Sequence, residues 1–256
     1  MLLGPDDPAP YRLLRADGAS PFLLTADHAG RAIPSALGDL GVSATERARH
    51  IGWDIGIADV TERLSALLDA SALLQTYSRL VIDCNRRPEL PNAFPEVSEA
   101  TPIPGNFGLT GVDKEARCKA VFAPYHAAIA AAIAARRGRS QPTLYVAMHS
   151  FTPVYHGVAR PMHVAVLYHR RPRLAQALAA RLRAEAGLVV AENEPYHVSD
   201  ETDYGVPVHA EAGALDYVEI EIRQDLIDAV DGQAAWAARL AHLLPLAAAD
   251  IAEAGA

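Results

Sequence analysis

A set of polar residues, each at or near the end of an apolar stretch, carries most of the chemical information in this chain. His28 follows Phe22-Leu-Leu-Thr25, and Asp54 closes His50-Ile-Gly-Trp-Asp54. Asn85-Arg86 follows Leu80-Val-Ile-Asp-Cys84, and His149 follows Leu144-Tyr-Val-Ala-Met148. Glu221 lies in Tyr217-Val-Glu-Ile-Glu-Ile222, just before Arg223. Neutral imidazole and a carboxylate oxygen are both zinc ligands, and two His with one carboxylate leave a fourth position open for water. A guanidinium grips a carboxylate at two points. A carboxylate in an apolar strand can serve as a general base. Together these positions have the parts of a metal hydrolase: His28, Asp54 and His149 as ligands, Arg86 as carboxylate binder and Glu221 as base.

Each residue also has a plainer reading. His28, in the glycine-containing turn Ala26-Asp-His-Ala-Gly30, could bond to backbone, and Asp27 could instead orient its ring for a metal. Asp54, between Gly52 and Gly56, could be a helix-start residue. Arg86 could pair with Asp83, and Arg79 and Arg87 are nearby competitors. Glu219 and Glu221 share one face of their strand, so one could be the base and the other a partner for Arg223. Ser150 beside His149 does not suggest a serine nucleophile. Neighbours on a strand point to opposite faces, and no Gly-x-Ser-x-Gly elbow is present.

The elements that must position these groups alternate. Residues 21–25, 72–77, 80–84, 143–148, 163–168, 188–190 and 217–222 read as strands. Helical spacing marks 57–68 and 112–137, the second with the apolar stripe Val121, Phe122, Tyr125, Ile129 and Ile133. Residues 172–186 form a helix with Pro172 near its first turn and Gly187 past its end. The helix 233–253 has Pro245 as a candidate interruption. Residues 89–111 and 192–213 read as long polar loops of the kind that carry function. This alternation predicts one α/β domain over 1–256: three layers, with a mixed, mostly parallel sheet and helices on both faces. In such sheets ligands bind beyond the carboxyl ends of the strands, where His28, Asn85-Arg86 and His149 fall.

Composition excludes several classes. Among 256 residues, 50% are hydrophobic and 21% charged, too apolar for a disordered chain. The net charge of −8 and the lack of a basic patch argue against nucleic acid. Arg136-Arg137-Gly138-Arg139 reads as a helix end. Cys84 and Cys118 form no Cys-x-x-Cys, which fits a reducing cytoplasm. The first residues lack a signal-peptide pattern, and the Ala-rich run 120–135 is too short and weakly apolar to span a bilayer. The oligomeric state is left open.

The motifs Asp27-His-Ala-Gly30, Trp53-Asp-Ile-Gly56, Tyr77-Ser-Arg-Leu-Val-Ile-Asp-Cys-Asn-Arg86, Met148-His-Ser150, Asn193-Glu-Pro-Tyr196 and Glu219-Ile-Glu-Ile-Arg-Gln-Asp-Leu226 resemble those of N-formylglutamate amidohydrolases. The resemblance spans roughly residues 20–226. It implies a fold similar to the zinc carboxypeptidases and the aspartoacylase/succinylglutamate desuccinylase group. Those enzymes share an order of His and acidic ligand, Asn-Arg, second His, then Glu before Leu/Ile-Arg. That order favours Glu221 over Glu219 as base. The peptidases carry a tight His-x-x-Glu; position 31 here is Arg, so the acidic ligand falls to Asp54.

The implied reaction is hydrolysis of an N-acyl amino acid, most simply N-formyl-L-glutamate to formate and glutamate in histidine degradation. A metal-activated water would attack. The cofactor is Zn²⁺, with Mn²⁺ or Co²⁺ compatible with the same ligands. Asn85 and Arg86 would hold the α-carboxylate. His209, in the polar loop with His197 and Tyr204, is an additional expected substrate contact, and Arg160 is another candidate. Alternatives are a hydrolase of a different N-acyl amino acid or peptide amide, or a catalytically silent ligand-binding protein of the same fold.

Overall fold

Alternating apolar residues build a sheet that is buried on both faces. The computed structural model describes residues 2–254. Its central strands are β1 (Tyr11–Leu14), β2 (Phe22–Ala26), β3 (Ser71–Gln75), β4 (Leu144–Phe151), β5 (Val164–Leu167), β6 (Val190–Glu192) and β7 (Asp216–Arg223). They lie side by side in the order β1-β3-β2-β4-β7-β5-β6. Pairing is parallel except at β1–β3 and β5–β7.

The period-2 pattern divides the core into two halves. Leu24, Val146, Met148, Val218, Ile220 and Ile222 face one side, under helices α1 (Ile57–Leu68), α3 (Arg173–Arg183) and α4 (Val230–Glu253). Leu23, Tyr145, Ala147 and Tyr217 face the other, under helix α2 (Gly111–Gly138). This is the expected mixed sheet with helices on both faces. Continuing the second face along β4 and β7 replaces apolar residues by His149, Glu219 and Glu221. The functional face is thus the polar end of an otherwise apolar stripe.

Helix α2 begins at a reciprocal cap: Thr110 accepts from the Asp113 amide, and the Asp113 carboxylate accepts from the Thr110 amide. By length and apolar composition α2 could cross a membrane. Here Val121, Phe122, Tyr125 and Ile129 pack into the core instead. The helix widens by one residue per turn at Cys118–Phe122. Helix α4 runs from Val230 to Glu253 through Pro245 without interruption. Residues 206–211 within the expected 192–213 loop form a widened helical turn.

One expected strand is absent. Residues 80–84 are buried but turn rather than extend: the Val81 amide donates to Ser78 O (2.9 Å) and the Arg86 amide to Asp83 O (3.2 Å). Side chains replace the missing ladder. Asn106 donates to Leu80 O (2.9 Å), Arg117 donates to Val81 O (2.9 Å), and His126 Nε2 lies 2.8 Å from Cys84 O. The apolar run encodes burial, and these donors make a buried turn affordable to the backbone.

Candidate active site

The turn after β2 carries His28. Gly30 permits it, because a Cβ there would sit 2.0 Å from Thr76 O. Asp54 comes next, its amide donating to His28 O at 2.9 Å. The position capping α1 is Gly56, at φ +78°, with Ile227 O only 2.0 Å from where a Cβ would stand. The Asp54 carboxylate is therefore free of capping duty and turns into the site. Its Oδ2 accepts from the Ser150 amide at 3.1 Å and lies 3.2 Å from His149 Nδ1 and 3.6 Å from His28 Nδ1.

These three buried groups can each offer a donor atom within 4.8 Å of the other two. Tetrahedral zinc ligands at about 2.0–2.1 Å stand a little over 3 Å apart, so the spacing suits a small divalent cation. His28 Nδ1 is buried and, among the described residues, has no hydrogen-bond partner, as a ligand atom facing a cation would be. Its other nitrogen, Nε2, is 2.7 Å from Asp83 Oδ1, which fixes ring orientation and tautomer. The donor set fits a metal.

Charge at the centre is strongly organised. Burial opposes ionisation of Asp54, but the facing charge of His28 and the hydrogen bond from His149 outweigh it and hold the carboxyl well below its usual range. Arg79 adds to this, donating to Asp83 Oδ2 (2.6 Å) with its other arm 3.6 Å from Asp54 Oδ1.

Glu219 and Glu221 project from β7 onto the same face. Glu221 is the register partner of His149 on the adjacent parallel strand. Both carboxyls are buried, and each has an Oε2 without a partner among the described residues. Burial pushes both up to about 8, against the charge of His149. A cation beside them favours the ionised form again.

A cavity of about 460 Å³ joins these groups to solvent. His28, Asp54, His149, Glu219 and Glu221 line its floor, with Arg79 and Arg86 on its wall and Tyr155 and Tyr196 toward its mouth.

The family model for N-formylglutamate amidohydrolases matches residues 20–228. The chain belongs to that family. Among solved structures, this amidohydrolase is similar to a gene product of Agrobacterium tumefaciens at 37% identity, with a TM-score of 0.95 over 98% of this chain and 99% of that one. It is also similar to an N-formylglutamate amidohydrolase from Ralstonia eutropha at 25% identity, with a TM-score of 0.70 over 97% and 100% of the two chains. No curated protein matches the sequence.

Not every residue singled out from the sequence reaches the cavity of this amidohydrolase. His209 does not line it. Its Nε2 is 2.9 Å from His126 Nδ1, with the rings stacked, and burial lowers its pKa to about 4. Tyr204 packs against the same His126 ring. Asn85 borders the cavity, but its side chain serves the backbone. It donates to Asp203 Oδ1 (3.1 Å) and accepts from the amides of Tyr204 and Gly205 (3.0 Å each). Arg86 lines the wall with a long 3.4 Å contact to Asp203. Arg223 pairs with Asp225 rather than Glu219. Asp27 accepts from the Tyr125 hydroxyl (2.6 Å), so the orienting role near His28 falls to Asp83. Asp83 and Arg79 were visible in the motif Arg79-Leu-Val-Ile-Asp83, but the strand reading hid that a turn brings both to one point.

Proposed function

We propose that the protein hydrolyses the amide of an N-acyl amino acid, with N-formyl-L-glutamate the first substrate and formate and glutamate the products. The observation carrying this reading is the buried His28–Asp54–His149 cluster with Glu221 in register beside His149. His28, Asp54 and His149 would hold a divalent cation, Zn²⁺ first. When bound, it supplies Lewis acidity that polarises a carbonyl and lowers the pKa of water.

The remaining work belongs to the side chains. Glu221, buried and with a free oxygen, accepts the proton of the attacking water and returns it to the leaving amine. Asp83 keeps His28 in one tautomer. Arg86 takes the α-carboxylate of the amino acid; its 3.4 Å contact with Asp203 is weak enough for a substrate carboxylate to replace it. The burial of His28, Asp54, His149, Glu219 and Glu221 strengthens the electrostatic interactions among them.

A larger N-acyl amino acid or a short peptide amide is the second reading. It is favoured by the cavity, whose 460 Å³ falls in the range that accepts ligands bigger than formylglutamate. Amine release from N-formyl-L-glutamate and from a panel of longer N-acyl glutamates, with and without chelator, tests both readings. Chelator-sensitive turnover of the formyl substrate supports the first. Turnover confined to longer acyl groups replaces it with the second. Chelator-resistant turnover removes the metal from the reading.

A further inference from the structure

Asp54 reaches the candidate metal centre from a loop of its own, and among the described residues no group of that loop holds its carboxylate. The fixing comes from the ends of two strands. Near the end of β4 the Ser150 amide donates to Asp54 Oδ2 at 3.1 Å, and the Ser150 hydroxyl donates to Ile55 O at 3.0 Å. One residue thus grips both the side chain of Asp54 and the backbone that follows it.

Ser150 is gripped in turn. Gln224, the first residue past β7, donates from Nε2 to Ser150 O at 3.2 Å and to Ser150 Oγ at 3.3 Å, so its side-chain amide is committed to that one partner. Gln224 is buried and sits in a pinned turn. The Ile227 amide donates to Gln224 O at 3.0 Å, and Gln233 donates to Ile227 O at 3.1 Å. Ile227 O is also the atom that Gly56 approaches at the start of α1. The turn after β7, the end of β4 and the loop before α1 therefore form one hydrogen-bonded block around Asp54. Buried amides and hydroxyls are costly in an apolar core unless their bonds are made, and here those bonds end on the Asp54 loop or on the residue that holds it.

We infer that Gln224 and Ser150 are positioning residues for the cation centre: a clamp that presets Asp54 Oδ2 beside His28 and His149, so that metal affinity is set in part from the end of β7. The inference rests on the reading of Asp54 as a ligand. A carboxylate held in place before the cation arrives loses less side-chain freedom on binding, which raises affinity without adding a contact to the metal. Glu221 lies on the strand that Gln224 follows, so one segment of chain carries the candidate base and braces the acidic ligand.

The test measures Zn²⁺ affinity by competition with a chromogenic chelator, a readout that needs no turnover, with urea unfolding of each metal-free variant beside it. Gln224→Met removes both donors at similar length, and Ser150→Ala removes the hydroxyl while keeping the amide. Asp54→Ala removes the ligand itself. Leu178→Ala, buried in α3 under the other face of the sheet, supplies a loss of stability unconnected to the clamp. Gln224→Met and Ser150→Ala should each bind Zn²⁺ about 10- to 100-fold more weakly, as loss of an orienting contact does. Because both act through one contact chain, the double variant should lose little more than the weaker-binding single variant. Leu178→Ala should unfold at lower urea and bind Zn²⁺ as the wild type does. If Gln224→Met and Ser150→Ala keep wild-type affinity while Asp54→Ala loses it, the clamp is overturned and the ligand stands. If Leu178→Ala weakens binding as much as they do, affinity merely tracks stability and the clamp is again overturned. If Asp54→Ala binds Zn²⁺ as tightly as the wild type, the ligand reading fails and the clamp falls with it.

Discussion

Glu221 and His149 are directly paired across β7 and β4, two parallel strands whose side chains rise from the same face. The proposed proton acceptor and one proposed metal ligand are thereby placed by backbone pairing rather than by loops. Glu221→Gln preserves the shape and removes the basicity. It should retain bound metal and lose about 10²- to 10⁴-fold in kcat, as removal of a general base does. Steady-state hydrolysis together with metal analysis of the purified variant checks this. Near-normal turnover would transfer the role to Glu219, whose carboxyl shares the floor.

His28 and His149 should each be indispensable for metal. Substitution of either by Ala removes one of the neutral nitrogen donors and should abolish tight binding and activity together. Asp83→Asn is the subtler probe, since Asp83 touches His28 but is not itself a ligand. Loss of such an orienting contact costs about 10- to 100-fold in metal affinity. Competition with a chromogenic chelator would measure it, and an unchanged affinity would show that the 2.7 Å contact does not orient the ring.

Asn85 has a different predicted phenotype from Arg86. Asn85→Ala leaves the amides of Tyr204 and Gly205 without their acceptor. Each buried orphan costs about 1–3 kcal/mol, so the variant should unfold at clearly lower denaturant. Arg86→Gln should keep its stability and raise KM. Equilibrium unfolding and kinetics on the two variants separate a framework residue from a substrate contact.

Glu219 and Glu221 contribute their own pH dependence to the stability of the metal-free protein. Burial holds both near 8 when folded, against an ordinary value of 4.5. Between those values the folded state keeps protons that the unfolded chain has released. Their contribution is full below about pH 4.5 and is lost as pH rises toward 8, at a slope on the order of 1 kcal/mol per pH unit for each carboxyl. A Glu219→Gln/Glu221→Gln double variant should flatten that slope in urea titrations. Metal should flatten it too, by favouring the ionised carboxylates.

The elements that position the candidate ligands were legible because their apolar patterns are long. β4, β7 and α1 follow directly from alternation or helical spacing, and His28, Asp54 and His149 fall where those patterns stop. The stretch 80–84 misled because a run of Leu, Val, Ile and Cys marks burial equally well in a strand and in a turn. Only Asn106, Arg117 and His126, distant in sequence, reveal which. His209 misled for a related reason. A histidine in a polar loop looks available, but its partner His126 lies on α2, 83 residues away. Local pattern reports where a side chain is buried; it does not report which distant side chain meets it there.

The strand order sets when the catalytic machinery can exist. β7 is the last strand in the chain, yet it sits between β4 and β5, both made earlier. A nascent chain cannot hold those two in their final places until residues 216–223 have left the ribosome and inserted between them. Until then the edges of β4 and β5 that pair with β7 lack their native partner, and unpaired edges are open to wrong ones. Because Glu221 arrives on that closing strand, the candidate site is complete only once the sheet is sealed.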